Sequence, residues 1–160
     1  MQNSTEYNEQ WQRAKHVALD LLSRREHSCL EIKRKLSRKH LELIDLDELC
    51  DELKSSGWLC HGRFAEAFIR SKRNKGQGPI KIAHELKQRG LTNDEYQNVL
   101  SEYDDWSELA EQCLNKKFNR PSVKQLELQR MQRFLAQRGF GFDAIKPACD
   151  RYLKSKSDPD

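Results

Sequence analysis

Residues 57–90 read GWLCHGRFAEAFIRSKRNKGQGPIKIAHELKQRG, from Gly57 to Gly90. Phe64, Ala65, Phe68 and Ile69 recur at helical spacing, and the pattern runs to about Asn74. Gly76-Gln-Gly78 interrupts it, and Pro79 suits the first turn of a new helix. Ile82, Ala83 and Leu86 line that second helix until Gly90 stops it. The glycines read as a tight helix–helix turn. A phosphate-cradling loop needs greater length and its own lysine, and this stretch supplies neither.

The same punctuation extends outward. Upstream, Trp11, Ala14, Val17, Ala18, Leu21 and Leu22 form a helical stripe over about Tyr7 to Arg25. Ser28-Cys-Leu-Glu31 has the form of a capping box, with Ile32 and Leu36 as the apolar positions beyond it. Asp45 opens a third helix through Leu46, Leu49, Cys50 and Leu53, which ends at Ser55-Ser56-Gly57. Downstream, Thr92-Asn-Asp-Glu95 and Asp105-Trp-Ser-Glu108 repeat the capping pattern. Pro121 closes a linker, a helix through Met131, Phe134 and Leu135 stops at Gly139, and the last pattern (Phe142, Ile145, Cys149, Leu153) contains Pro147. That proline implies either a shortened first turn or a kink. The terminal SKSDPD reads as frayed.

The stops align. Leu86-Lys-Gln-Arg-Gly90-Leu91 matches Leu135-Ala-Gln-Arg-Gly139-Phe140, and Leu36-Ser-Arg-Lys-His40-Leu41 matches both without the glycine. The expected fold is all-α: three tandem three-helix repeats at 1–57, 58–104 and 105–160, stacked into an elongated, curved molecule. A compact helical bundle is the alternative.

Composition agrees with a folded helical chain, at 34% charged and 36% hydrophobic over 160 residues. No apolar run approaches the ~20 residues of a membrane span, and MQNSTEYNEQ has no signal-peptide character. A cytoplasmic monomer without membrane contact is expected. Cys29, Cys50, Cys60, Cys113 and Cys149 are scattered, with no CxxC pair, and read as reduced, mostly core residues. Cys60-His61 has no further ligands at zinc spacing, so neither metal nor cofactor is expected. His16, His27, His40 and His84 read as surface residues in polar helical surroundings, and no catalytic constellation is visible, so an enzyme is not expected.

Charge is distributed in blocks. Residues 58–90 set Arg63, Arg70, Lys72, Arg73, Lys75, Lys81, Lys87 and Arg89 against Glu66 and Glu85. Residues 91–115 carry seven acids and no Lys or Arg, after which Lys116, Lys117, Arg120, Lys124, Arg130, Arg133 and Arg138 restore the positive sign. At 100° per residue, Arg63, Arg70 and Arg73 fall opposite Phe64 and Phe68. With Trp58, Phe64 and Phe68 read as core, the candidate partner- and DNA-binding residues are Arg63, Arg70, Lys72, Arg73, Lys75, Lys81, Lys116, Lys117, Lys124, Arg130 and Arg133. Pairing of Glu66 with Arg63 and Arg70, and solvated faces elsewhere, are the plainer readings.

At Gly57-Trp-Leu, Arg63-Phe64-Ala65, Phe68-Ile69, Lys75-Gly76, Gly78-Pro79, Ile82, Glu85-Leu86 and Gly90-Leu91, the chain resembles the RecX family of regulatory proteins. The likeness reaches upstream to Arg24-Arg25-Glu26-His27-Ser28 and downstream to Gln132-Arg-Phe-Leu and Gln137-Arg-Gly139-Phe, over about residues 11–153. It implies binding along the groove of a RecA recombinase filament on DNA, bridging protomers and reducing ATP hydrolysis, strand exchange and filament growth. It further implies a place in recombination, DNA repair and the SOS response, with direct contacts to single- and double-stranded DNA that lack strong sequence preference. One departure is Cys60-His61-Gly62, where the family usually has acids to cap the next helix. The alternative function is a stand-alone DNA-binding regulator whose helix pairs act as helix-turn-helix units.

Overall fold

The computed structural model describes residues 2–118 and 125–157, and every regular element among them is a helix. They are α1 (Gln2–Arg24), α2 (Cys29–Leu36), α3 (Leu46–Ser55), α4 (His61–Asn74), α5 (Pro79–Gln88), α6 (Asn93–Ser101), α7 (Trp106–Lys117), α8 (Gln125–Gln137) and α9 (Phe142–Ser157). Pro121 and residues 158–160 of the expected frayed tail lie outside the described residues.

Local chemistry sets most of the boundaries. Ser28 Oγ accepts from Glu31 N (3.2 Å) while Ser28 N donates to Glu31 Oε1 (3.1 Å), so the expected box caps α2. Asp45 Oδ1 accepts from Asp47 N at the start of α3. Gly57, Gly76, Gly90 and Gly139 all take positive φ just past a helix end. His40, at the aligned position of the first repeat, does so too with φ 54°. A side chain there costs about 1 kcal/mol, and an Arg13 guanidinium nitrogen donates to its carbonyl at 3.1 Å. Register across the repeats is therefore written in backbone torsion even where the glycine is missing.

Two caps differ from expectation. Glu95 accepts from both Thr92 N (2.9 Å) and Thr92 Oγ1 (3.0 Å), so the threonine hydroxyl donates instead of capping. Asp105 makes no side-chain bond to the first turn of α7, because its carboxylate is engaged elsewhere. Pro147 lies inside α9, past its first turn. α4 begins at His61, with Phe64 N donating to Cys60 O.

The chain divides into two compact units, Met1–Ala67 with Leu86–Tyr96, and Phe68–Glu85 with Gln97–Asp160. In the first, Ala14 and Ala18 of α1 are fully buried alongside Ile32, Leu36, Leu49 and Leu53. Each such leucine contributes about 2 kcal/mol. Lys15–Glu52 (2.8 Å) and Lys33–Asp47 (2.6 Å) bind α3 to α1 and α2. His27 is buried, contrary to its surface reading. Its Nδ1 lies 3.0 Å from Arg25 O and its Nε2 3.0 Å from Lys35 Nζ. Those partners fit a neutral ring that donates from Nδ1 and accepts at Nε2, and burial followed by the nearby cations holds its pKa below the ordinary value. Trp58 is 57% exposed and so is not core, whereas Phe64 is buried.

In the second unit α7 lies along α9, burying Ala110, Cys113, Leu114, Ala148, Cys149 and Tyr152 with Met131 and Leu135 of α8. Tyr152 satisfies its hydroxyl by donating to Phe118 O at 2.8 Å. The α4–α5 turn meets the end of α8 backbone to backbone. Gly78 N donates to Arg138 O (2.7 Å) and Ile80 N to Gly139 O (3.0 Å). A Cβ on Gly78 would stand 2.4 Å from the Gly139 carbonyl, and one on Gly139 would stand 2.3 Å from Lys81 Cβ. The helix-start donors of α5 thus take carbonyls from the end of α8, which leaves no room for a phosphate at Gly78.

Candidate partner and nucleic-acid interface

The same interlock brings the two basic blocks together. Within the second unit, the end of α4, the following turn, α7 and α8 enclose a groove of about 460 Å³. Arg73, Lys75, Lys116, Lys117 and Arg138 line it with Asn74, Gln112, Cys113, Leu109 and Phe134, and no carboxylate is among them. Lys75, Lys116 and Lys117 are exposed. Arg138 donates to Lys75 O (3.1 Å) with its guanidinium 5.1 Å from the Phe134 ring centroid. The sequence places this arginine in the second basic block, although not among the candidate residues drawn from that block. The signal was its place in Gln137-Arg138-Gly139, which the repeat positions at the helix end.

The other candidates divide by what holds them. Arg70 is exposed and makes no ion pair with a described residue. Arg63 bonds Glu26 (2.9 Å) and Gly57 O (2.8 Å), so it clamps the α3–α4 connection. Glu66 pairs with neither Arg63 nor Arg70. Arg73 departs furthest from its expected exposed face. Its side chain is 13% exposed, bonded to both carboxylate oxygens of Asp105, and flanked by the rings of Tyr103 (4.2 Å) and Trp106 (4.5 Å). Its Nη1 has no hydrogen-bond partner among the described residues.

Lys72 is 18% exposed, 3.6 Å from Glu85 and 5.2 Å from the Phe68 ring centroid. Lys81 is half-buried, with its stem against Gly139. Arg130 and Arg133 are exposed on α8, with Arg133 beside a separate groove that includes Phe142. Lys124 lies outside the described residues. In the first unit, Arg34, Lys35, Arg38 and Arg89 line another cationic groove with Glu31 and Gln88, about 660 Å³ in volume.

Among the described residues, no helix is long and apolar enough to cross a membrane, and no group of three or more His, Cys, Asp or Glu residues could hold a metal.

Family profiles match three consecutive stretches. Residues 14–53 match "RecX, first three-helix domain", 62–100 "RecX, second three-helix domain" and 103–149 "RecX, third three-helix domain". The regulatory protein RecX of Chromohalobacter salexigens is 38% identical over 132 residues, covering 82% of this chain and 87% of that one. Its counterpart in Legionella pneumophila is 40% identical over 130 residues, covering 80% and 87%. A crystal structure of RecX from Lactobacillus salivarius superposes with a TM-score of 0.79 at 20% identity, over 92% of this chain and 99% of that one, and so shares the fold. Another, of a regulatory protein RecX, gives 0.74 at 21% over 88% and 73%. With consecutive domain matches and relatives this similar over most of both chains, the chain belongs to the RecX family of regulatory proteins.

Proposed function

We propose that this chain binds the groove of a RecA–DNA filament and acts mainly as an inhibitor of its ATPase, strand exchange and growth. Family membership supplies the class of regulator. The single observation that carries the contact is the acid-free cationic groove, in which Lys75 of the middle repeat meets Lys116, Lys117 and Arg138 of the last. Exposed lysines are mobile point charges suited to phosphates or acidic side chains, and phosphate contacts carry no sequence information. This favours binding without strong sequence preference to either single- or double-stranded DNA. Arg70, Arg130 and Arg133 widen the cationic surface, and Lys124 continues it in sequence. Lys72, Arg73 and Lys81 hold the elements that present it, and Arg63 braces the first unit through Glu26 and Gly57. The regulator works as a cytoplasmic monomer and needs no cofactor.

The test is a titration of the chain into RecA's DNA-dependent ATPase. Depression at substoichiometric amounts is expected, and a flat titration refutes the reading. A sequence-dependent footprint on duplex DNA without RecA would favour the stand-alone helix-turn-helix regulator instead.

A further inference from the structure

The departure at Cys60-His61-Gly62 builds a cluster that the filament-binding reading does not use. His61 opens α4 with its side chain only 8% exposed. Its Nδ1 meets a Glu95 carboxylate oxygen, and its Nε2 accepts from the backbone N–H of Cys29 at 3.0 Å. Cys29 is the first residue of α2, so its sulfur stands at the positive end of that helix, and it is partly exposed. Cys50 of α3 is 3% exposed and directs its Sγ at Cys29 O, 3.8 Å away. Three helices and Glu95 of α6 thus converge on one partly exposed cysteine with a second cysteine beside it.

We propose that Cys29 and Cys50 form an oxidant-sensitive dithiol, with Cys29 the sulfur that attacks a hydroperoxide and Cys50 the sulfur that resolves it. In the first step the Cys29 thiolate attacks a peroxide oxygen and the O–O bond breaks. Sulfur is oxidised by two electrons to the sulfenic acid, and the other oxygen leaves as hydroxide, reduced. In the second step Cys50 sulfur attacks Cys29 sulfur, an S–S bond forms, the S–O bond breaks, and the departing hydroxyl takes the Cys50 proton to leave as water. The product ties α2 to α3 inside the core of the first unit.

Electrostatics supports this geometry. The Cys29 thiol is drawn down to about 4, first by a hydrogen bond from the Cys50 thiol, with burial opposing. Cys50 is pushed up by the Cys29 thiolate and by burial, so in the reduced pair the negative charge sits on Cys29. The titratable and charged groups facing the pair are His61 of α4, Lys54 and Asp47 of α3, Lys33 of α2, and Glu95 through His61.

The experiment uses the full chain and resolves each cysteine by peptide mass spectrometry. The iodoacetamide rate at Cys29 is expected to change less than two-fold between pH 8 and pH 6, where an ordinary thiol slows by about 70-fold. Hydrogen peroxide is expected to link Cys29 to Cys50 with a loss of two hydrogens, reversibly with a dithiol reductant. In Cys50→Ala, dimedone should instead trap a sulfenic acid on Cys29. An ordinary pH profile at Cys29, or peroxide treatment that leaves Cys29 and Cys50 unlinked, overturns the proposal. Both measurements are made on the unsubstituted chain, so instability of a variant does not blunt them.

Discussion

Arg73 grips Asp105 through both carboxylate oxygens, at 2.7 and 2.8 Å, and in doing so removes the N-cap that α7 would otherwise take from that aspartate. Nη2 alone makes both bonds, and stacking against two ring faces requires a planar guanidinium. Arg73→Ala is expected to cost about 2 kcal/mol, read as a lower melting temperature, the half-exposure of Asp105 keeping the loss below that of a fully buried pair. Arg73→Lys should recover less than half. An unchanged melting temperature in Arg73→Ala would refute the structural role.

Binding should separate from folding at the groove. The triple substitution of Lys75, Lys116 and Lys117 to Glu is expected to weaken filament or DNA binding at least ~10-fold and to flatten its salt dependence. All three are exposed, so helicity and melting should hold. Equal binding at low salt would move the contact to another face.

Glycine substitutions should differ in sign. Gly78→Ala places a methyl 2.4 Å from backbone and is expected to destabilise by about 3 kcal/mol. Gly62→Ala has Cys60 Sγ at 3.7 Å as its nearest neighbour, inside α4. It should stabilise by about 0.5 kcal/mol. Chemical denaturation of both variants checks the pair.

His27 imposes a pH dependence. Its folded pKa is depressed, by burial first, below the ordinary 6.5. The unfolded chain therefore binds the proton more readily, so His27's contribution is full above pH 6.5 and is lost as pH falls through the folded value. Denaturation between pH 8 and pH 5 should show a steeper acid loss in the natural chain than in His27→Gln. Parallel curves would exclude His27 as the source.

Removing the hydroxyl in Ser28→Ala should cost about 1 kcal/mol, since Glu31 N then loses its acceptor at the start of α2. Thr92→Ala is expected to cost less, because the Thr92 hydroxyl caps nothing and Glu95 still accepts from residue 92's backbone. Melting temperatures of the two variants in parallel check the order.

What the sequence made legible was local. Helix stops at Gly57, Gly90 and Gly139, the box at Ser28 and the cap at Asp45 involve residues within one turn, so spacing alone finds them. Arg73 was misplaced because a helical wheel knows only its own helix, and Tyr103, Asp105 and Trp106 come from beyond α6. His27 misled for a related reason: its ring partners are a backbone carbonyl and the Lys35 ammonium, neither of which marks a buried histidine in sequence. The groove needed the pairing of Gly78 with the end of α8, a contact between distant segments that charge counting cannot supply.

That pairing also has a consequence for biosynthesis. Gly78 and Gly139 are about 60 residues apart, a long loop to close. As the chain leaves the ribosome, the opening donors of α5 meet only water until the end of α8 has emerged. A ribosome stalled before Gly139 would thus hold α5 with an untethered first turn and a groove lacking Arg138, so nascent-chain proteolysis should cut near Gly78 until that residue clears the exit tunnel.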